Sequence, residues 1–245
     1  MYNASQPLSF PQAIVFDLDN TLYPYAPSHK AGMAAVEEKL STDYGVTTEA
    51  FSECFGRARN EIKKRLGHTA SSHSRLLYFM RTLELLGFKS QPLLALDLEQ
   101  SYWRNFLKAA NLFSGVIPLF EFLKASNVSI AIVTDLTMQI QLRKLIYFNL
   151  DKFIDYIVTS EEAGTDKSGL VPFALILEKL NTPQQHIWVV GDDKEADLQA
   201  SLHFSMLPVY KTSQGSPVPE EAAMYFHSFE ELRKCLEKLK YVSND

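Results

Sequence analysis

Apolar residues follow two different patterns along this chain, and the two patterns divide it. Ala13-Ile14-Val15-Phe16 is a short, almost unbroken apolar run closed by polar residues. Strands buried on both faces of a parallel sheet read this way. Similar runs recur at Ser129 to Val133, Tyr156 to Val158 and Ile187 to Val190, with Leu207 to Tyr210 as a fifth. Amphipathic helical stretches accompany them at Ile117 to Ala125, Gln139 to Phe148, Pro172 to Leu180 and Glu195 to His203. Strand and helix alternating at this spacing predict a right-handed βαβ array. The expected core is α/β and Rossmann-like, a parallel sheet with helices on both faces.

The interval from about Pro24 to Asn111 breaks that alternation. It holds no convincing strand, but helix-period segments at Lys30 to Leu40, Glu49 to Leu66, Ser74 to Leu86 and Leu93 to Leu107. Gly45, Gly67 and Gly87 punctuate them as breakers or C-caps. A helical block directly after the first strand predicts a second, smaller domain. The expected organisation is an α/β core over residues 1–23 and 112–245 and an inserted all-helical cap domain over 24–111. Ser213 to Pro219 reads as a surface loop and Phe229 to Leu239 as a closing helix.

Bulk composition narrows the function classes. A chain of 245 residues, 46% hydrophobic and 22% charged, has the make-up of a globular protein with a sizeable core. Net charge is −5 with no Lys/Arg-rich run, so no nucleic-acid partner is expected, because that binding needs clustered cations. Cys54 and Cys235 lie far apart and read as idle thiols in a reducing compartment. The first residues lack the basic and apolar regions of a secretory signal, and no apolar run approaches the roughly 18–20 residues of a membrane span. A cytoplasmic monomer or homodimer with no membrane partner is the expectation.

The aspartates change the picture. Of twelve, six fall in three short windows at or just after predicted strand ends: Asp17 and Asp19, then Asp135, then Asp192, Asp193 and Asp197. Ligands of open parallel sheets bind outside the carboxyl ends of the strands. Residues i and i+2 of a strand share a face about 6.6 Å apart, so Asp17 and Asp19 can flank one small group. A phosphoryl group suits that gap, one carboxylate attacking phosphorus and the other protonating the leaving oxygen. The bland alternative is a turn with an N-cap, helped by Asn20 and Thr21.

In Gly191-Asp192-Asp193-Lys194-Glu195-Ala196-Asp197, helix capping accounts for one or two acids at roughly 0.3–1 kcal/mol per charge, but not for convergence with Asp17. Two carboxylates about 4 Å apart repel by about 4 kcal/mol at an effective dielectric near 20. Gathering Asp17, Asp19 and Asp192 therefore calls for a cation or shared protons. All-oxygen ligands point to Mg²⁺, and the dearth of nearby His and Cys argues against zinc.

Thr134 ends the second run, where its hydroxyl is placed to hold phosphoryl oxygens, or merely to cap the next helix. Lys167 follows the third run, where a lysine offsets charge as a carboxylate attacks a phosphate, unless it is a plain surface residue. Asp166 beside it either pairs with it or sits in solvent.

Together these windows resemble the haloacid dehalogenase superfamily, in the same order along the chain. The DxDxT motif is Asp17, Asp19 and Thr21; the Thr/Ser motif is Thr134; the lysine motif is Lys167; GDxxxxD is Gly191, Asp192 and Asp197. The helical block between the first two motifs is similar to the subfamily with a type 1 helical cap. The resemblance implies Asp17 as the nucleophile forming an aspartyl-phosphate, and Asp19 as general acid and then base. It implies Asp17, the Asp19 carbonyl and Asp192 as Mg²⁺ ligands, with Asp193 and Asp197 behind them or acting through water, and Thr134 and Lys167 holding the phosphoryl group. Asp135 replaces the asparagine of many relatives and joins the expected substrate-binding set.

Asp19 also bears on the reaction. An ester leaving group needs an acid and a halide does not, which places phosphate hydrolysis above dehalogenation. The expected activity is Mg²⁺-dependent hydrolysis of a small phosphorylated substrate, a nucleoside monophosphate or a sugar phosphate. The alternatives are a phosphomutase and a catalytically silent binding or regulatory protein. In the helical block, His68, His73, Arg75 and Arg81 are candidates to read a second anionic group, or simply form a solvated basic face.

Overall fold

The structure, a computed structural model, describes residues 8–242. Two compact units divide it. One comprises residues up to Pro24 and from Asn111 onward; the other runs from Tyr25 to Ala110.

In the first unit the five apolar runs form strands β1 (Ala13–Phe16), β2 (Ser129–Thr134), β3 (Tyr156–Thr159), β4 (Ile187–Gly191) and β5 (Leu207–Lys211). A sixth, β6 (Met224–Phe226), went unforeseen. Three residues are too short to show a period, and β6 pairs on one side only. All pairings are parallel, in the order β3-β2-β1-β4-β5-β6. The chain winds outward both ways from β1, so the switch point lies at its carboxyl end.

Alternation along β1 explains why its run is unbroken. Ala13 and Val15 enter a cluster with Phe173, Ile176 and Leu180 of helix α8 (Val171–Leu180). The alternate residue Phe16 meets Phe120 of helix α5 (Val116–Ala125), ring centroids 5.0 Å apart. Each buried side chain of this size contributes roughly 1.5–3 kcal/mol.

The second unit is helical: α1 (Tyr25–Tyr44), α2 (Thr48–Leu66), a 3₁₀ turn (Ala70–His73), α3 (Arg75–Leu85) and α4 (Pro92–Ala109). Helix α1 packs on α4 and α2 on α3. Phe51, Phe55, Tyr78, Phe79, Tyr102 and Phe106 fill its interior. Helix α1 starts earlier than its sequence pattern predicts. Its buried positions are Ser28, Gly32, Val36 and Leu40, and small or polar residues at the first two hide the apolar stripe. Gly32 is small for a reason: a Cβ there would lie 2.7 Å from the Tyr102 ring. Among the described residues no helix is long and apolar enough to cross a membrane.

Candidate active site

The site belongs to the first unit, and its acids and Lys167 lie at the carboxyl ends of β1, β2 and β4 or in the turns beyond β3 and β4. Strand β1 delivers Asp17, whose N–H donates to Val190 O at 2.9 Å. The chain then turns at once. Leu22 N donates to Leu18 O (3.0 Å), and Asn20 sits in the left-handed region at φ 63°, which asparagine tolerates. This tight turn brings Thr21 back beneath the carboxylates. Its hydroxyl lies 2.9 Å from Asp17 Oδ2 and 3.1 Å from Asp192 Oδ1.

The last acidic window is not the regular helix its sequence predicts. Lys194–Leu198 is a π-helical turn that continues into α9 (Gln199–His203). Asp193 caps the turn, Oδ1 accepting from Glu195 N (2.9 Å) and Ala196 N (3.1 Å). The wider turn carries Asp197 inward against Gly191. A Cβ at 191 would overlap Asp197 Oδ2 at 2.1 Å, so only glycine fits. Single π turns of this kind concentrate at functional sites.

Three carboxylates converge: one oxygen each from Asp17, Asp192 and Asp197 lie within 4.8 Å of one another. Asp193 and the Asp19 side chain stand outside that group. Lys167, in the 3₁₀ turn Lys167–Gly169, places Nζ 2.7 Å from Asp17 Oδ1 and 2.9 Å from Asp197 Oδ1. It is buried, contrary to the surface reading, and so is neighbouring Asp166, at 8% exposure. One lysine faces three acids, and the acids respond. Burial raises Asp17 more than Lys167 lowers it. Burial and then the charge of Asp17 push Asp192 up to about 6; burial drives Asp197 up as well. Burial works against the charge of Lys167, but Asp17, Asp197 and Asp135 outweigh it and hold its ammonium well above the usual range. An all-oxygen cluster with excess negative charge suits a hard divalent cation. The carboxylates therefore fit a metal, with protons in its stead when none is bound.

The remaining predicted residues do work the sequence did not reveal. Thr134, at the end of β2, accepts a hydrogen bond from Gln141 Nε2 at 2.6 Å. Asp135 Oδ1 accepts from the Lys167 N–H at 2.9 Å, so this carboxylate orients the lysine turn. Leu136 follows at φ 82°, a strained conformation for a branched side chain. Asp19 is held by Lys144, whose Nζ lies 2.7 and 2.8 Å from its two oxygens, and by the Tyr23 hydroxyl at 2.5 Å.

Lys144 and Gln141 are missed by motif reasoning, yet both lie on helix α6 (Met138–Tyr147) and are fully buried. A lysine and a glutamine three apart, on the face that also buries Ile140 and Leu145, was the available signal. Lys211 is a further cation, 3.9 Å over the Phe113 ring. With Asn20, Asp192, Tyr210 and Thr212 it lines a cavity of about 300 Å³. Burial lowers its pKa, partly offset by Asp192.

Comparison with known proteins agrees with this geometry. The family model described as haloacid dehalogenase-like hydrolase matches residues 14–206. A ribulose-1,5-bisphosphate 5-phosphatase from Halopiger xanaduensis is 42% identical over 212 residues, 86% of this chain and 89% of that protein. Among solved structures, a 2-haloacid dehalogenase from Pseudomonas syringae superposes with a TM-score of 0.76 at 20% identity, covering 93% of this chain and 99% of that one. A hydrolase of the same superfamily from Bacillus subtilis, bound to magnesium, gives 0.70 at 19% identity over 93% and 99%. The two structures share the fold, whereas the 42% relative shares the sequence. By both the family match and that kinship, the chain belongs to the haloacid dehalogenase-like hydrolases and is a phosphatase among them.

Proposed function

We propose that this protein hydrolyses a small sugar phosphate in a Mg²⁺-dependent reaction through an aspartyl-phosphate on Asp17. The observation that carries this reading is the contact of Lys167 with both Asp17 and Asp197, beside the carboxylate of Asp192. That arrangement supplies a nucleophile, a cation for the phosphoryl charge and oxygen ligands for a metal in one buried place.

Asp17, Asp192 and the Asp19 carbonyl would hold the metal, with Asp197 beside them. When bound, it neutralises phosphoryl oxygens and charge-balances the acids. The remaining steps belong to the chain's own residues. Lys167 directs Asp17 and favours its ionised form against the effect of burial. A carboxylate oxygen of Asp17 attacks phosphorus, the ester P–O bond breaks, and the leaving alkoxide takes a proton from Asp19. Water then attacks the same phosphorus; Asp19 takes its proton, and the P–O bond to Asp17 breaks, releasing inorganic phosphate. Asp19 enters the cycle with the proton it gives and regains it from water, and Lys144 and Tyr23 hold its carboxyl oxygens in place. Thr134 holds a phosphoryl oxygen, and Gln141 fixes its hydroxyl. Asp135 acts by orienting Lys167.

The relative's name supports a phosphorylated pentose as the first substrate to try. Purified protein is tested for phosphate release from ribulose 1,5-bisphosphate, glyceraldehyde 3-phosphate, hexose phosphates and nucleoside monophosphates, with Mg²⁺ and with EDTA. Mg²⁺-dependent release from a sugar phosphate, lost in Asp17→Asn, is the expected result. Turnover that survives both EDTA and Asp17→Asn sinks the reading. Conversion of a sugar phosphate to its isomer without phosphate release would instead make the protein a mutase.

A further inference from the structure

Three lysines lie in or beside the acidic site of the α/β unit, and they are balanced differently. Lys167 lies against Asp17 and Asp197, and Lys144 against both oxygens of Asp19. Even the exposed Lys194, two positions past Asp192, is answered by Glu221 at 3.0 Å. Lys211, the last residue of β5, belongs to no ion pair among the described residues. Its ammonium rests 3.9 Å over the Phe113 ring, which solvates the charge without cancelling it. Asp192, the one acid lining the same cavity, offers an oxygen to the cluster with Asp17 and Asp197 instead.

That cavity, of about 300 Å³, is lined entirely by residues of this unit. Hydrogen bonds fix its walls. Phe113 N donates to Leu22 O at 2.9 Å, which ties one wall to the turn that carries Asn20. Thr212 N donates to Phe226 O and Ser216 N to Ser213 O, both at 3.1 Å, and these shape the loop beyond β5. Between the walls stand the Asn20 amide and the hydroxyls of Tyr210, Thr212, Ser213 and Ser216. Asp192 joins the cavity to the reacting centre. The space equals that of about ten water molecules, at the lower end of the range in which proteins hold small ligands.

We infer that this cavity is the leaving-group subsite, and that Lys211 selects a leaving part with an oxyanion at its far end. Hydroxyl and amide groups suit a hydroxylated carbon chain, and an uncompensated ammonium suits a carboxylate or a phosphate. A cation–π contact alone would account for about 0.5–2 kcal/mol of stability and would carry no preference among substrates. The subsite rests on the sugar-phosphate hydrolysis proposed above. It places the choice of substrate in the α/β unit, whereas the sequence pointed to basic residues of the helical one.

The test uses the full chain with Lys211→Met, which keeps an apolar stem over Phe113, and Lys211→Glu, which reverses the charge. Thermal melts show that both fold. Two matched pairs of esters are compared by kcat/KM. Glycerol 3-phosphate and 3-phosphoglycerate differ by a carboxylate; ribulose 5-phosphate and ribulose 1,5-bisphosphate differ by a phosphate. Preference for the more anionic member of a pair is expected to fall about 10–100-fold in Lys211→Met, chiefly through KM, and further in Lys211→Glu. The pair that responds tells carboxylate from phosphate.

A second readout needs no turnover. On the metal-free wild-type chain, acetylation of Lys211 by acetic anhydride is followed by mass spectrometry with gluconate, orthophosphate or neutral sorbitol present. At least one of the two oxyanions is expected to slow it several-fold, and sorbitol is not. Equal losses on both members of each pair would mean that Lys211 acts on the acids and the metal, and would overturn the subsite. A preference that both variants retain overturns it too. If no ester is hydrolysed at all, the functional reading fails, and acetylation alone decides whether the cavity takes an oxyanion. An unchanged rate with both oxyanions then overturns the site.

Discussion

Lys167 in the α/β unit and Arg75 in the helical unit are both cations taken largely out of water, and they are stabilised by opposite means. Lys167 is surrounded by acids, to the point that negative charge is in excess. Arg75 is surrounded by aromatic faces and one carbonyl, and positive charge is in excess. The contrast separates two demands. A site that performs attack and metal binding must assemble opposed charges at fixed distances. A cation that only packs can rest on rings and a carbonyl.

The largest expected effect removes the attacking group. Asp17→Asn should lower phosphate release by at least about 10⁴-fold, as loss of a covalent nucleophile does. The metal-free variant should also melt no lower than wild type at neutral pH, since one of three crowded carboxylates is gone. Retained turnover would break the acid-rich side of the comparison.

Next is Lys167→Met, which strands Asp17 and Asp197 in a buried place. A loss of about 10²–10³-fold in kcat is expected. Loss of one partner from a buried charge cluster costs about 3–5 kcal/mol. The drop in melting temperature should therefore be on the order of 10 °C, read by calorimetry on the metal-free protein. A melting point within a degree or two of wild type would show that protons, not Lys167, balance the acids.

Lys144→Met tests the second buried lysine, which acts through Asp19. Its effect should depend on the leaving group: about 10–100-fold for a sugar phosphate, and only a few-fold for p-nitrophenyl phosphate, whose leaving oxygen needs little protonation. Equal losses on both substrates would mean that Lys144 merely supports the fold.

The two units should also answer pH in opposite senses. Asp192, raised to about 6 from 3.8, contributes stability that is full below about pH 4 and lost as pH rises through 6. His29, lowered to about 4 from 6.5, contributes stability that is full above pH 6.5 and lost as pH falls toward 4. Hydrogen exchange on metal-free protein between pH 4 and 6.5 should show the α/β site loosening as pH rises and the helices around His29 loosening as it falls. Added Mg²⁺ should abolish the first trend and leave the second. Parallel trends in both units would remove the distinction.

The smallest effect belongs to the paired arginine. Arg81→Ala breaks two ion pairs whose side chains are about a third exposed, and should cost about 1 kcal/mol or less with no change in activity. A large loss of activity there would break the comparison by giving the cations of the helical unit a part in the chemistry.

Where reasoning from sequence reached and where it stopped follows from range. The parallel sheet was legible because Ile14, Val15 and Phe16 are buried on both sides, which leaves an unbroken apolar run. The helical interval was legible because its breakers, Gly45, Gly67 and Gly87, all adopt the positive φ that ends a helix. Asp17 and Asp192 were expected in one place from strand ends, since strand direction decides where those ends gather, whereas Lys167 joined them only through the family resemblance.

Partnership was not legible. Asp193 and Asp197 look alike in sequence, yet one caps a turn and the other is drawn under Gly191, because only the closed π turn decides which acid points inward. Asp135 read as a ligand for substrate, and the sequence did not show that its Oδ1 takes the Lys167 N–H. Lys144, 125 positions from Asp19, reaches it only because α6 and the β1 turn meet in the folded unit.

Arg75 makes the same point from the other side. Its sequence neighbours place it at a helix start, but that no acid among the described residues pairs with it is a property of everything packed around it. Periodicity and turn chemistry are local, and so the sequence by itself determined the elements, their order and the kind of residue at each strand end. Charge compensation is a sum over residues far apart in the chain, and only the tertiary structure decided it.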